Sequence, residues 1–338
     1  MFRLLALLQL TRAALAFTAI ADAWTILLLR PPGVLPEQSM GMIILEMIIT
    51  GIVSFGLYGF GMALNDLLDA RRDRIFAPRR PIPSGRIQPR SAIVISLVLL
   101  GTAVLGAAIL TPLHLVKLNK MIQLHVRDFV PYSFFFTFGT ATLILFYDAA
   151  AKYLGGLGLV ALGAIRALHC LIGNPKTPLL FLSMILLTHV IVISTIAYRL
   201  ENKRPRLNRG DIVTVILGIL IGNGLAIWYM ARSTTFDPAS LRMLIGPGIA
   251  AILFIVWAAA LLSSAKRTPR QKGERLMLMG LFWLFVYDAS MLVSNGQYLA
   301  GVAITLLLLC SVLSFFGIRY LSRTYHQPRL SYRSERTG

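Results

Sequence analysis

"ALNDLLDARRDRIFAPRRPIPSGRI", residues 63–87, closes a long apolar run with three aspartates and then crowds arginines behind them. At about 100° per residue, Asp66, Asp69 and Asp73 fall within an arc of about 60° on a helix, with Asn65 one step round. Like charges at i,i+4 repel by a few tenths of a kcal/mol when exposed, and by more when desolvated. A chain keeps such a cluster when cations share it, either neighbouring arginines or a bound divalent metal. Oxygen-only ligands favour Mg²⁺, Mn²⁺ or Ca²⁺ over zinc. Mg²⁺ in particular takes one or two carboxylates together with substrate phosphates. The competing reading is a solvated helix end in which Asp69 and Asp73 pair with Arg72 and its neighbours. Arg79, Arg80 and Arg86 tip the balance, because they surround the proline-stiffened "PIPSG", which presents guanidinium groups instead of letting them drift. Arginines facing carboxylates across a gap suit a polyanion bridged by metal.

The apolar run before this stretch is one of many. Of 338 residues 57% are hydrophobic and 14% charged, with a mean hydropathy of +0.73. A soluble domain carries roughly 25% charged residues, so the composition reads as a polytopic, all-α membrane bundle. Apolar stretches near 13–29, 41–64, 91–111, 131–147, 154–173, 178–198, 211–231, 242–264, 275–293 and 298–318 predict ten transmembrane helices. Nine is the alternative, since "SNGQ" alone divides the last two. The amino-terminal stretch is predicted to be the first span and not a secretory signal, because its apolar character resumes after Arg12 and runs to Leu29.

Net charge is +19, which in a soluble protein would suggest nucleic acid. With the amino terminus inside, 25 of the 33 basic residues fall in inner segments and seven in outer ones, Arg166 lying within a helix. The positive-inside rule therefore explains the charge by topology and attraction to lipid, and no nucleic-acid partner is expected. Both termini are expected on the cytoplasmic face of the cell's inner membrane. Residues 1–320 form one bundle with an active-site loop over 65–90, and 321–338 a basic tail. The outer segment 112–130 is expected to be interfacial. Cys170 and Cys310 lie in apolar segments and read as packing residues.

"NDLLDARRD" followed by "RRPIPSGRI" resembles the first signature of the UbiA superfamily of intramembrane prenyltransferases, N-D-x-x-D-x-x-x-D with a downstream R-P-x-P-S-G. "FYDAAAK" resembles that family's tyrosine–lysine element, and "LGAIRALHCLIG" follows it. The resemblance covers residues 10 to about 200 and implies Mg²⁺-dependent transfer of an isoprenoid chain from a prenyl diphosphate to an aromatic or lipid-like small-molecule acceptor. It implies that Asn65, Asp66 and Asp69 hold Mg²⁺ on the diphosphate with help from Asp73. By the same resemblance Arg80 and Arg86 lie near the phosphates, Lys152 neutralises the leaving diphosphate, and Tyr147 lines the cavity. Simpler readings of the last two are an interfacial aromatic anchor and an inside-loop charge.

The chain departs from the family at its second acidic motif. "THVIVISTIAYRLENKRPR" holds no aspartate, only Glu201 with Asn202. Either Glu201 serves alone as a second metal ligand, or a single metal with Lys152, Arg199 and Arg80 carries the charge, or catalysis is lost. A non-catalytic or transport-type protein binding a prenyl lipid diphosphate is the rival from another class. Asp22 and Asp288 are costly in hydrocarbon and need partners. Asp22 either lines an acceptor pocket or pairs with a residue such as Arg166, and Asp288 reads as structural. His189 reads as a helix–helix hydrogen-bonding residue.

Overall fold

A computed structural model of the protein describes residues 2–29, 39–122, 131–174, 180–232 and 238–325. Most of the expected outer segment 112–130 and of the tail lies outside the described residues or has undescribed side chains. The described chain is all-helical. Its helices are α1 (Phe2–Leu10), α2 (Ala13–Leu28), α3 (Met40–Leu68), α4 (Ala70–Phe76), α5 (Pro89–Ile122) and α6 (Tyr132–Ala149). They continue with α7 (Gly156–Cys170), α8 (Phe181–Leu200), α9 (Arg209–Arg232), α10 (Ile245–Ser263), α11 (Pro269–Ser294) and α12 (Tyr298–Tyr325).

A helix stands at each of the ten expected spans. Seven of them, α3, α5 and α8 to α12, are long and apolar enough to cross a membrane. The pair α1–α2 makes an eighth, bent by 51° where Arg12 adopts a left-handed backbone, φ 45°. α6 and α7 are shorter. The "SNGQ" connection is a tight turn with Gly296 at φ 76°, and α11 and α12 on either side are separate helices, each long and apolar enough to span. α12 runs on to Tyr325, past the expected end of the bundle.

Sequence chemistry sets the helix ends. The Ser39 hydroxyl accepts a hydrogen bond from Met42 N to start α3. Thr268 and Gln271 cap each other's backbone at the start of α11, with Pro269 in the first turn, where a missing N–H costs nothing. α3 and α5 make the most extensive pairing in the molecule. A methyl group on Gly56 would meet the Leu99 carbonyl oxygen at 2.7 Å, so glycine permits that approach. Between membrane helices such small-residue contact and dispersion supply the attraction that water supplies elsewhere.

The packing forms an inner ring of α2, α3, α6, α7, α8 and α11, with α2 also reaching across to α7. α5, α9, α10 and α12 lie outside it. Accordingly 67% of the α8 membrane window is buried, against 11% for α9. Inside the ring the Asp22 carboxylate (α2) forms an ion pair with the Arg166 guanidinium (α7), and Asp288 (α11) sits against Asp22. A three-helix polar tie thus joins α2, α7 and α11, as the structural alternative for Asp22 anticipated.

Candidate active site

Four pieces of chain meet at one end of the bundle. They are the α3–α4 junction, the loop from Ala77 to Gln88, the short turn Ala151–Tyr153 between α6 and α7, and the α1–α2 break. The three aspartates do not share one continuous helix face, as their spacing suggested. Asp69 ends α3, and α4 begins at Ala70. Asp66, Asp69 and Asp73 still lie at the same end of the bundle, each buried and each paired with a cation.

Arg80 donates to Asp66 Oδ1 at 3.3 Å and to Asp73 Oδ2 at 2.5 Å, bridging the two helices. Arg12 Nη2 lies 3.7 Å from the same Asp66 oxygen. Lys152 Nζ donates to Asp69 Oδ1 at 3.0 Å and to Asn65 Oδ1 at 3.3 Å. It also lies 4.0 Å from Asp148 Oδ1. Arg72 flanks Asp69 Oδ2 at 3.8 Å, and the Tyr153 hydroxyl reaches Asp69 Oδ1 at 3.5 Å. Tyr147 lies within electrostatic reach of Asp69, Asp148 and Arg12. Beside Asp66 opens a cavity of ≈ 490 Å³, lined by Gln9, Arg12, Arg79 and Arg80 with Phe76 and Pro81.

The structure therefore brings Asn65, Asp66, Asp69, Asp73, Arg80, Lys152 and Tyr147 together. Among the described residues, three other expected ones do not bond to the four carboxylates. Arg86 donates to Ser84 Oγ at 2.9 Å, to Gln9 Oε1 at 2.5 Å and to the Arg79 carbonyl at 2.5 Å. It ties the loop to α1, and partial desolvation draws its pKa down from the ordinary arginine value. Glu201, the residue after α8, pairs with Lys203 at 2.9 Å. Arg199 is exposed in the last turn of α8. Two participants were not singled out from sequence, Arg12 and Asp148. Asp148 carried a readable signal, since a carboxylate one turn before Lys152 in an apolar helix requires a partner.

Four carboxylates (Asp66, Asp69, Asp73, Asp148) meet four cations (Arg12, Arg72, Arg80, Lys152), so the cluster is neutral by itself. Among the described residues no three acid, histidine or cysteine side chains converge as a ready-made metal site. The donor set is nonetheless all oxygen. The close contacts fall on one oxygen each of Asp66 and Asp73, which suits a hard cation held by one or two carboxylates and completed by a ligand's phosphates. The residues fit one Mg²⁺ of that kind.

A bundle of apolar helices with a buried carboxylate–guanidinium cluster beside a basic mouth has the chemistry to take a ligand with a phosphorylated head and an apolar body. A profile of the UbiA prenyltransferase family matches residues 14–118, the part that holds the three aspartates and the arginine loop. The digeranylgeranylglyceryl phosphate synthase of Haloquadratum walsbyi is 28% identical over 286 residues, covering 75% of this chain and 85% of that protein. The protein of the same name from Methanococcus maripaludis is 51% identical over 51 residues, covering 15% of this chain and 18% of that protein. A solved structure of a digeranylgeranylglyceryl phosphate synthase shares the fold, with a TM-score of 0.53 at 18% identity over 87% of this chain and 99% of that one. The chain is thus similar to the UbiA prenyltransferase family over residues 14–118, and to a digeranylgeranylglyceryl phosphate synthase over three quarters of its length.

Proposed function

We propose that the protein transfers an isoprenoid chain from a prenyl diphosphate to an acceptor within the membrane, and that the acceptor is a lipid alcohol. The observation that carries the reading is the neutral cluster beside the arginine-lined mouth. Because the four carboxylates are already balanced by four cations, the cluster has no surplus charge to hold a metal alone, and the diphosphate would bring Mg²⁺ in with it. Asp66, Asp69 and Asp73 supply oxygen ligands for that cation. When bound, Mg²⁺ supplies charge neutralisation on the diphosphate oxygens. Arg79, Arg80 and Lys152 then face the negative charge that grows as the allylic C–O bond breaks and its electron pair leaves with the diphosphate. Preorganised charge of this kind is commonly the largest catalytic contribution. The apolar bundle keeps water from the allylic cation, and the acceptor oxygen forms the new C–O bond while its proton passes to the released diphosphate.

The relatives named above are synthases of digeranylgeranylglyceryl phosphate, which favours a lipid-alcohol acceptor over an aromatic one. The excess of basic residues at the site's end of the bundle supports an inner-membrane protein with that end in the cytoplasm. Glu201 paired with Lys203 favours a second reading, in which the protein binds the diphosphate without turning it over. The test uses purified protein in nanodiscs with labelled geranylgeranyl diphosphate, Mg²⁺, and either geranylgeranylglyceryl phosphate or 4-hydroxybenzoate. Transfer to the lipid alcohol, lost in Asp69→Ala and on chelation of Mg²⁺, is expected. Near-normal transfer by Asp69→Ala defeats the site assignment. Binding without diphosphate release over both acceptors establishes the second reading instead.

A further inference from the structure

On the far side of α8 from the ion cluster, the bundle holds a second recess. α9 packs on α7 and α8, while α10 packs on α11. The gap between α9 and α10, floored by α8 and backed by α11, is a cavity of ≈ 650 Å³, a size typical of small-molecule sites. Its walls are apolar, with Val192, Phe254, Ile255 and Leu276 among them, but four polar residues also line it: Thr188, His189, Asn223 and Tyr287.

The hydrogen bonds of those groups give the recess a definite polarity. His189 Nε2 lies 3.0 Å from the Gly280 carbonyl, which can only accept, so Nε2 carries the proton. Nδ1 is then an acceptor, and the Tyr287 hydroxyl, 3.2 Å away, spends its proton there. The Tyr287 oxygen is left facing the recess with lone pairs. Asn223 Nδ2 donates to Thr188 Oγ1 at 2.9 Å, while Asn223 Oδ1 is buried with no partner among the described residues. Two residues that line the recess therefore hold an acceptor with capacity to spare, and one of them, Asn223 Oδ1, is an orphan whose burial carries a penalty.

Depth narrows the occupant further. His189 is the ninth residue of α8, about 12 Å along from its Phe181 end. Asn223 lies nine residues before the Arg232 end of α9, about 14 Å in. Both positions are close to the midplane of a hydrocarbon core about 30 Å thick. A phospholipid's head is pinned at the surface and does not bring a donor there. A lipophilic alcohol or phenol, whose polar end is itself buried in the bilayer, does.

We infer that the α8–α11 recess is a second binding site, separate from the diphosphate mouth, for a lipophilic alcohol whose hydroxyl donates a hydrogen bond to Asn223 Oδ1 or the Tyr287 oxygen. It does not rest on the proposed transfer reaction. The experiment is photolabelling of the full-length protein in nanodiscs with diazirine-bearing geranylgeraniol, read by mass spectrometry of peptides spanning 184–196 and 251–262. Labelling is expected to saturate, and to be displaced by geranylgeraniol about tenfold better than by its methyl ether, which keeps the chain and lacks the donor. Asn223→Leu is expected to weaken labelling about tenfold, leaving Mg²⁺-dependent diphosphate binding intact. Equal displacement by alcohol and ether, or labelling that never saturates, overturns the inference and leaves a groove filled by bulk lipid. The ether comparison decides on the wild-type protein even where Asn223→Leu fails to fold.

Discussion

Replacing Lys152 with methionine tests the ion cluster at its most buried cation. The Lys152 side chain is 9% exposed and has Asp69 at 3.0 Å and Asp148 at 4.0 Å. At an effective dielectric of about 20, those separations correspond to gross attractions of about 5.5 and about 4 kcal/mol, much of which desolvation offsets. Methionine nearly matches the stem in volume, so what is lost is charge. Asp69 and Asp148 are left as like charges facing each other in a buried site, and the expected cost is about 3–5 kcal/mol. Adding Asp148→Asn to the variant removes one of the stranded carboxylates and restores neutrality to the cluster. The double variant is therefore expected to recover most of the thermal stability in detergent. Activity is expected to behave otherwise. Loss of one charge aimed at the departing diphosphate lowers kcat by about 10²–10³, and Asp148→Asn does not return it. Thermal unfolding monitored by intrinsic fluorescence gives the stability cycle, and diphosphate release gives the rate. A Lys152→Met protein as stable as wild type, or a double variant no more stable than the single one, refutes the reasoning.

Two further outcomes follow from the packing. Arg166→Leu strands the Asp22 and Asp288 carboxylates inside the ring and is expected to destabilise the bundle by about 3–5 kcal/mol, whereas Asp22→Leu with Arg166→Leu costs less, both read by thermal unfolding. Gly155 has φ 54°, and a methyl group there would come within 2.3 Å of Asp211 Oδ1, which accepts from Gly156 N to fix the start of α7. Gly155→Ala is expected to lose about 1–3 kcal/mol, seen as a lowered Tm.

The reach of the sequence differed from residue to residue. Asp66, Asp69 and Asp73 were legible because charge directly after a long apolar run is costly unless something uses it. The helical bundle was legible because most of its helices are long and apolar, as a hydrocarbon solvent requires, while only seven, or eight with the bent pair, meet that length and composition. Arg12 was read as a topology charge. Nothing local in "QLTRAAL" announces a left-handed residue that folds α1 back toward Asp66. Arg86 was placed with the phosphates on the strength of its motif, but its geometry depends on Gln9, 77 positions away, which spacing along the loop does not reveal. Glu201 illustrates the same limit, since the cation that pairs with it is Lys203, two residues on. Periodicity also overstated the unity of the acidic face, because the turn at Asp69 breaks the helix while tertiary cations hold the three carboxylates together.

The elbow at Arg12 makes the amino-terminal helix a wall of the mouth and more than a lead-in to the first span. Gln9 braces the loop through Arg86, and Arg12 sits over Asp66. Trimming those first turns, or rigidly fusing a bulky partner to them, would unlatch the entrance from its hinge, so preparations of this protein are better tagged at the opposite terminus.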